Sequence, residues 1–200
     1  QLSPKNTLLV SLHNKDGPDS ASALLQSIKN YFAKDWQNNL IVHINPAIEK
    51  LKDNQDIKNI VFIDDFIGTG TQFSKGCEYF IQEVNKIPRD VNISLVSLCI
   101  MKQAISKIEM IENKSIQHYA YIYMEQGISD DENLSQYKDV MLDLEKRLFG
   151  SGFLQNYSLG YKKSEALFRY GNKNAPNNNF PIFWSGGDTN TPRKSLLKRA

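Results

Sequence analysis

Residues 60–72, Ile-Val-Phe-Ile-Asp-Asp-Phe-Ile-Gly-Thr-Gly-Thr-Gln, restrict the possible folds more than any other part of this chain. An unbroken apolar run of strand length, such as Ile60 to Ile63, suits a strand covered on both faces, as in a parallel sheet between two helical layers. From Phe73 the apolar positions Phe73, Cys77, Phe80, Ile81 and Val84 recur at helical spacing. The segment therefore reads as strand, loop and helix. Gly68 and Gly70 allow the backbone to turn sharply and to bring successive N–H groups close to an anion. The loop delivers those groups at a helix N-terminus, where the dipole favours negative charge.

The same alternation runs through the chain. Residues 7–12 (TLLVSL) read as a first strand, followed by a polar loop over 13–22 and a helix that turns Leu24, Leu25, Ile28 and Phe32 inward. Residues 40–44 read as a second strand, after which Asn45 caps a short helix with Pro46 at its first position. Residues 91–100 (VNISLVSLCI) form a further buried strand, and a helix carries Ile105, Ile108 and Ile111. A Tyr-rich strand over 116–124 places Tyr119, Tyr121 and Tyr123 on one face, mostly as packing residues. A last helix over 134–149 has Leu134, Tyr137, Met141, Leu144 and Leu148 as its core stripe. Strands separated by helices pair in parallel through right-handed crossovers. The expected fold is α/β, a doubly wound, mainly parallel sheet in one domain over residues 1–187, with an irregular C-terminal cap over about 151–187.

With 200 residues and 40% hydrophobic content, the chain is able to bury one sizeable core. No apolar stretch approaches bilayer-spanning length, and residues 1–6 lack the basic-then-apolar pattern of a signal peptide, so the cytoplasm is the expected address and no membrane partner is expected. Gln1 stands where an initiating Met is usual, which fits a fragment or a processed product. Cys77 and Cys99 sit among apolar residues and read as small core residues in a reducing compartment. The net charge is +2, and residues 188–200 carry +3 of it, from Arg193, Lys194, Lys198 and Arg199 against Asp188, which leaves the rest at +2 − 3 = −1. That tail reads as a solvated, mobile end, with a docking arm for nucleic acid or an acidic protein as the alternative.

The two carboxylates decide which phosphate ligand fits the loop. Asp64 and Asp65 would repel a bare polyphosphate, but they suit a ligand that places hydroxyls or a bound divalent cation between them and the phosphate. A phosphorylated ribose has that shape. The P-loop pattern requires Gly-Lys-Ser/Thr at the helix start, where this chain has Gly70-Thr71-Gln72-Phe73. A dinucleotide fingerprint requires a third glycine where Phe73 stands, and its acid follows the loop by about 20 residues. In a regular strand Asp64 and Asp65 point to opposite faces, so both meet one ligand only if the strand has ended before them.

At these residues the chain resembles the type I phosphoribosyltransferases, whose signature is an aliphatic strand, two acids and a small Ser/Thr/Gly loop. The resemblance implies that Asp64 and Asp65 hold the ribose hydroxyls of phosphoribosyl pyrophosphate (PRPP) and favour the cation that develops at C1. It implies that Gly68, Thr69, Gly70, Thr71 and Gln72 cradle the 5′-phosphate, and that Mg²⁺ arrives with the ligand, with no direct protein metal site beyond Asp64 and Asp65. Phe66 is bulkier than the family's usual aliphatic, and Gln72 replaces a common Ser or Thr. A second resemblance covers residues 164–184, where Pro176, Asn177, Asn178, Pro181, Ile182 and Trp184 match the tail of a divergent branch of such domains found in bacterial anti-phage systems, some retron-associated.

By the same resemblance, the early loop contacts pyrophosphate through Lys15, Ser20 and Ser22; Asp19, Ser20 or Ser22 acting as a helix N-cap is the plainer alternative. His13 reads as a satisfied strand-end residue. Asn177, Asn178 and Asn179 either face a nucleobase edge or form Asx turns beside the prolines, while Phe183 and Trp184 bury the cap against the sheet. The implied function is a PRPP-dependent or related transferase in bacterial defence. The alternatives are a non-catalytic PRPP or nucleotide sensor and an interaction module that meets protein or nucleic acid through cap and tail.

Overall fold

The computed structural model describes residues 1–12, 20–186 and 193–197. Its main sheet is built from β1 (Thr7–Ser11), β2 (Leu40–Ile41), β3 (Asn59–Ile67), β4 (Asn92–Met101) and β7 (Gln117–Met124), with a small hairpin of β5 (Met110–Ile111) and β6 (Lys114–Ser115) inserted before the last strand. The main sheet has the order β2-β1-β3-β4-β7, and every pairing in it is parallel. With the hairpin set aside this is a 2-1-3-4-5 order, whose reversal point lies between β1 and β3. The expected α/β architecture is therefore present.

Strand alternation sorts the apolar residues into two layers. Leu8, Val10, Ile60, Phe62 and Leu95 face α2 (Ile44–Asp53) and α3 (Thr71–Val84), where Phe73 and Phe80 set their rings edge-on to Phe62 at 6.0 and 5.2 Å. Truncating Phe62 to Ala would cost about 3–5 kcal/mol. Leu9, Val61 and Ile63 face α1 (Ser20–Ile28), whose Leu24 and Leu25 are joined by Phe32 and Trp36 from the following 3₁₀ turns. Cys77 and Cys99 are buried and unpaired, in line with their reading as core residues.

Several local expectations are corrected. The second strand is only two residues long, and α2 begins at Ile44 with His43 as its N-cap, so Pro46 sits inside the first turn. The position is still harmless, because the first four N–H groups of a helix have no intrahelical acceptor. At the other end of α2, Arg89 donates to the carbonyls of Leu51 and Asn54, a cation on the negative end of the helix dipole. The helix expected to carry Ile111 stops earlier, as α4 (Ile105–Ile108), and Ile111 belongs to the hairpin.

The Tyr-rich strand also differs. It is an edge strand, and Tyr119, Tyr121 and Tyr123 are exposed, Tyr121 by 87%, because α1 covers β1 and β3 but not β4 and β7. The last long helix, α5 (Lys138–Leu148), starts later than expected; it turns Met141 inward as expected, with Leu142 beside it, but Leu144 is exposed, as are Leu134 and Tyr137 ahead of the helix. No helix among the described residues is long and apolar enough to cross a membrane.

The cap is largely irregular, as expected. It holds α6 (Ser151–Tyr157) and α7 (Pro181–Trp184) around a small cluster of Ile128, Leu159 and Phe180. Trp184 packs on Phe153 and Tyr157 of α6, not on the sheet. The tail expected to be mobile has one described part, residues 193–197, and it returns to the cap. Arg193 donates to the Ile182 carbonyl, and the Leu197 N–H donates to Phe183 at 2.7 Å. Asp188, Lys198 and Arg199 lie outside the described residues.

Candidate functional site

A cavity of about 780 Å³ opens at the carboxyl ends of β1 and β3, where the sheet order reverses. This is where open α/β sheets take their ligands. Leu12 lines it from β1, Asp64 and Phe66 from β3, the loop Gly68 to Thr71 and the first turn of α3 from below, and Tyr161, Asn177 and Asn178 from the cap. The residues expected to act together are thus brought together at 64, 68–72, 177 and 178.

The loop has the conformation an anion cradle needs. Gly70 is the N-cap of α3 with φ +71°, a left-handed backbone for which a side chain is costly, and the first helical bond runs from the Ser74 N–H to its carbonyl at 2.8 Å. The N–H groups of Thr71, Gln72 and Phe73 then lack intrahelical acceptors and face the cavity end of the helix. Thr69 donates its hydroxyl to Thr71 Oγ1 at 3.2 Å, which sets the two side chains side by side. Gln72 lines the cavity and is exposed.

The two acids do not behave as the pleat rule alone would have it. β3 runs on through both to Ile67, so the condition that the strand end before them fails. Asp64 curls along its own backbone, with Oδ1 accepting from the Asp65 N–H at 2.8 Å. Burial first, then the neighbouring Asp65 carboxyl, pushes the Asp64 carboxyl well above the ordinary carboxylate range, against smaller opposing bonds from the Phe66 and Asp65 backbone. Asp64 lines the cavity, while Asp65 stands behind it with 5% exposure.

The cap is seated on the loop by close contact. A Cβ added at Gly68 would lie 2.3 Å from Asn178 Nδ2, so the Asn178 amide occupies the space that any other residue at 68 would fill. That amide donates to Ser164 Oγ at 3.1 Å. Phe66, bulky for its position, stacks on Phe168 of the cap at 4.9 Å and 18° between planes, which gives its size a structural role. Asn179 is buried and pairs both amide atoms with the Phe168 backbone at 2.7 Å, a structural bond and not a base contact.

Two site elements were not legible beforehand. Lys162 reaches across from the cap and donates to Thr71 Oγ1 at 3.2 Å, and the Tyr161 ring forms part of the cavity wall. The turn that holds them depends on two buried acids. Glu165 accepts from the N–H groups of Ile128 and Ser129 at 3.0 and 2.7 Å and pairs with Lys138 at 3.5 Å, while Glu145 accepts from Ser158 Oγ at 2.7 Å and the Leu159 N–H at 3.0 Å.

Of the early-loop residues, Lys15 and His13 lie outside the described residues. Ser20 is exposed at the start of α1. Ser22 is buried, hydrogen-bonds Ser11 Oγ at 3.0 Å and is not among the residues that line this cavity. No cluster of three or more His, Cys, Asp or Glu residues able to hold a metal occurs among the described residues.

The model of the PRTase-CE family, a family of phosphoribosyltransferase-like domains, matches residues 1–199. The chain belongs to the PRTase-CE family. No curated protein and no solved structure gives a match. The match spans the sheet, the acid-and-glycine loop and the cap together, and membership places the chain among phosphoribosyltransferase-like proteins.

Proposed function

We propose that this PRTase-CE domain binds PRPP or a related phosphoribosyl nucleotide and transfers its phosphoribosyl group to an acceptor, as a cytoplasmic effector in bacterial anti-phage defence. The observation that carries the binding reading is the cavity at the β1–β3 reversal, which sets the Asp64 carboxyl beside the loop Gly68 to Thr71 at the start of α3. A phosphorylated ribose fits this order, with hydroxyls donating to the acid and the 5′-phosphate on the loop N–H groups and the Thr69 and Thr71 hydroxyls. The defence setting rests on the resemblance of residues 164–184 alone.

Asp64 at the cavity, with Asp65 behind it, would face a Mg²⁺ ion arriving with PRPP, and such an ion would supply charge neutralisation at the pyrophosphate. Asp64 accepts hydrogen bonds from the ribose and stabilises positive charge as the C1–O bond to pyrophosphate breaks. The electron pair leaves with pyrophosphate, and the acceptor's lone pair forms the new bond to C1. No covalent protein nucleophile is required, and positioning with charge stabilisation supplies the rate.

A second reading is favoured by Gln72, which stands exposed at the cavity where a hydroxyl commonly reaches phosphate. It is a sensor that binds PRPP or a nucleotide without turnover. Calorimetric titration of PRPP with Mg²⁺ into wild type and into Asp64→Asn/Asp65→Asn tests both. Binding only in the wild type supports the site, and pyrophosphate release on adding candidate acceptors separates enzyme from sensor. No binding in either protein removes the PRPP reading.

A further inference from the structure

We propose that Lys162, carried on the cap, supplies the positive charge that the phosphate loop itself lacks, so that the ligand's phosphate is held between loop and cap. The proposal rests on the phosphoribosyl reading of the cavity and assigns a phosphate-specifying residue to it.

The loop from Gly68 to Gln72 contains no cation, and the adjoining acids Asp64 and Asp65 make this end of the cavity hostile to a dianion. Helix N–H groups alone contribute modestly, about 0.3–1 kcal/mol per charge at an exposed end. A phosphate seated here therefore needs a countercharge. Lys75 lines the cavity from α3, but Lys162 is the ammonium already bonded into the cradle, through Thr71 Oγ1 at 3.2 Å, at the first residue of α3.

The backbone around Lys162 is set for that purpose. Leu159, Lys162, Lys163 and Glu165 all have φ between 50° and 57°, and Gly160 has φ 84°. Each non-glycine residue in this region costs about 1 kcal/mol or more, so the turn persists only because its surroundings over-determine it. The Tyr161 N–H donates to the Asn177 carbonyl at 2.8 Å, the Lys163 N–H to Gly160 at 2.8 Å, Ser164 Oγ to the Tyr161 carbonyl at 2.8 Å and Gln126 Nε2 to the Lys163 carbonyl at 2.7 Å. A mobile surface lysine needs no such frame. Here the frame fixes the start of the side chain and aims it over the Tyr161 ring, 5.6 Å from its centroid, toward Thr71. Strain held in place at a ligand-facing turn is the pattern expected of a preorganised binding residue.

The test titrates inorganic phosphate, ribose 5-phosphate and PRPP with Mg²⁺ into wild type, Lys162→Met, Lys162→Arg and Lys75→Met at low ionic strength. Lys162 is exposed, so the variants are expected to fold, and matched melting curves check this. The expected result is a tenfold or greater loss of affinity for the phosphorylated ligands in Lys162→Met, less than threefold in Lys162→Arg, and a smaller loss in Lys75→Met than in Lys162→Met. A loss in Lys162→Met no larger than that in Lys75→Met overturns the role of Lys162 while leaving the phosphoribosyl site standing. Binding of inorganic phosphate that depends on Lys162, with no gain from ribose or pyrophosphate, upholds Lys162 and overturns the phosphoribosyl reading. No binding of any of the three to wild type overturns both.

Discussion

The contact between Gly68 and Asn178 is open to a quantitative test, because it is the closest approach of cap to phosphate loop. In Gly68→Ala the new Cβ would lie 2.3, 2.4 and 2.7 Å from Nδ2, Cγ and Oδ1 of Asn178, so the amide must move and its 3.1 Å bond to Ser164 Oγ breaks. Overpacking costs about 1–3 kcal/mol and the lost bond about 1 kcal/mol, a total of about 2–4 kcal/mol. For a domain of this size that lowers the melting temperature by about 5–12 °C. Asn178→Ala alone loses the hydrogen bond and little else, about 1 kcal/mol or about 3 °C. In the double variant the clash is gone, so its stability should match that of Asn178→Ala. The cycle, followed by circular dichroism in urea and on heating, should therefore show a coupling of about 2–4 kcal/mol, the full cost of Gly68→Ala and well beyond the scatter of about 0.5 kcal/mol seen for independent sites. Additive effects within that scatter refute the packing of cap on loop.

Three further outcomes follow from the site and its supports. Burial and Asp65 raise the Asp64 carboxyl, so the folded state holds that proton more tightly than the unfolded chain; stability is then greatest below the unfolded value of about 3.9 and falls as pH rises through the folded value. Asp64→Asn should melt above wild type at pH 7, converge with it toward pH 4, and no longer bind PRPP; a lower melting temperature at pH 7 contradicts this. Glu165→Ala strips the acceptor from the Ile128 and Ser129 N–H groups and leaves Lys138 with Ser129 Oγ alone, a loss of about 3 kcal/mol, mostly from the two unsatisfied N–H groups, that thermal melting should report as about 6–12 °C, and a change under 2 °C counts against it. Burial, with the charge of Glu78 adding to it, pushes the Cys77 thiol up to about 12, and burial pushes Cys99 up to about 11, so a disulfide reagent should label neither until denaturant unfolds the domain, and labelling of the native protein at the rate of a free thiol would show the core to be open.

The strand-loop-helix unit at 60–84 was legible because its signals are local. The apolar run, paired acids, two glycines and helical spacing all fall within one supersecondary unit, and the parallel sheet follows from repeating it. The tyrosines of β7 were misplaced for the opposite reason. Alternation shows which residues share a face, but whether a helix covers that face depends on where α1 lands, and α1 lands over β1 and β3. The stripe of α5 was right at Met141 and missed the buried Glu145, whose partners, Ser158 and the Leu159 N–H, lie in the cap and leave no trace in helical spacing. Lys162 left no signal. A Tyr-Lys-Lys triplet after a glycine looks like a solvated turn, and its bond to Thr71 comes from a left-handed backbone that residue types there do not announce.

The bond between Lys162 and Thr71 joins positions 91 residues apart in the chain, and this separation has a meaning in time. A ribosome adds about 5–20 residues per second, so about 5–18 s pass between the emergence of the loop Gly68 to Thr71 and that of the lysine bonded to it. Throughout that interval the loop, its two acids and Lys75 of α3 exist without Tyr161, Asn177 and Asn178, which bound the cavity from the cap. The cavity is therefore completed only once the cap has been made and has folded down onto the loop.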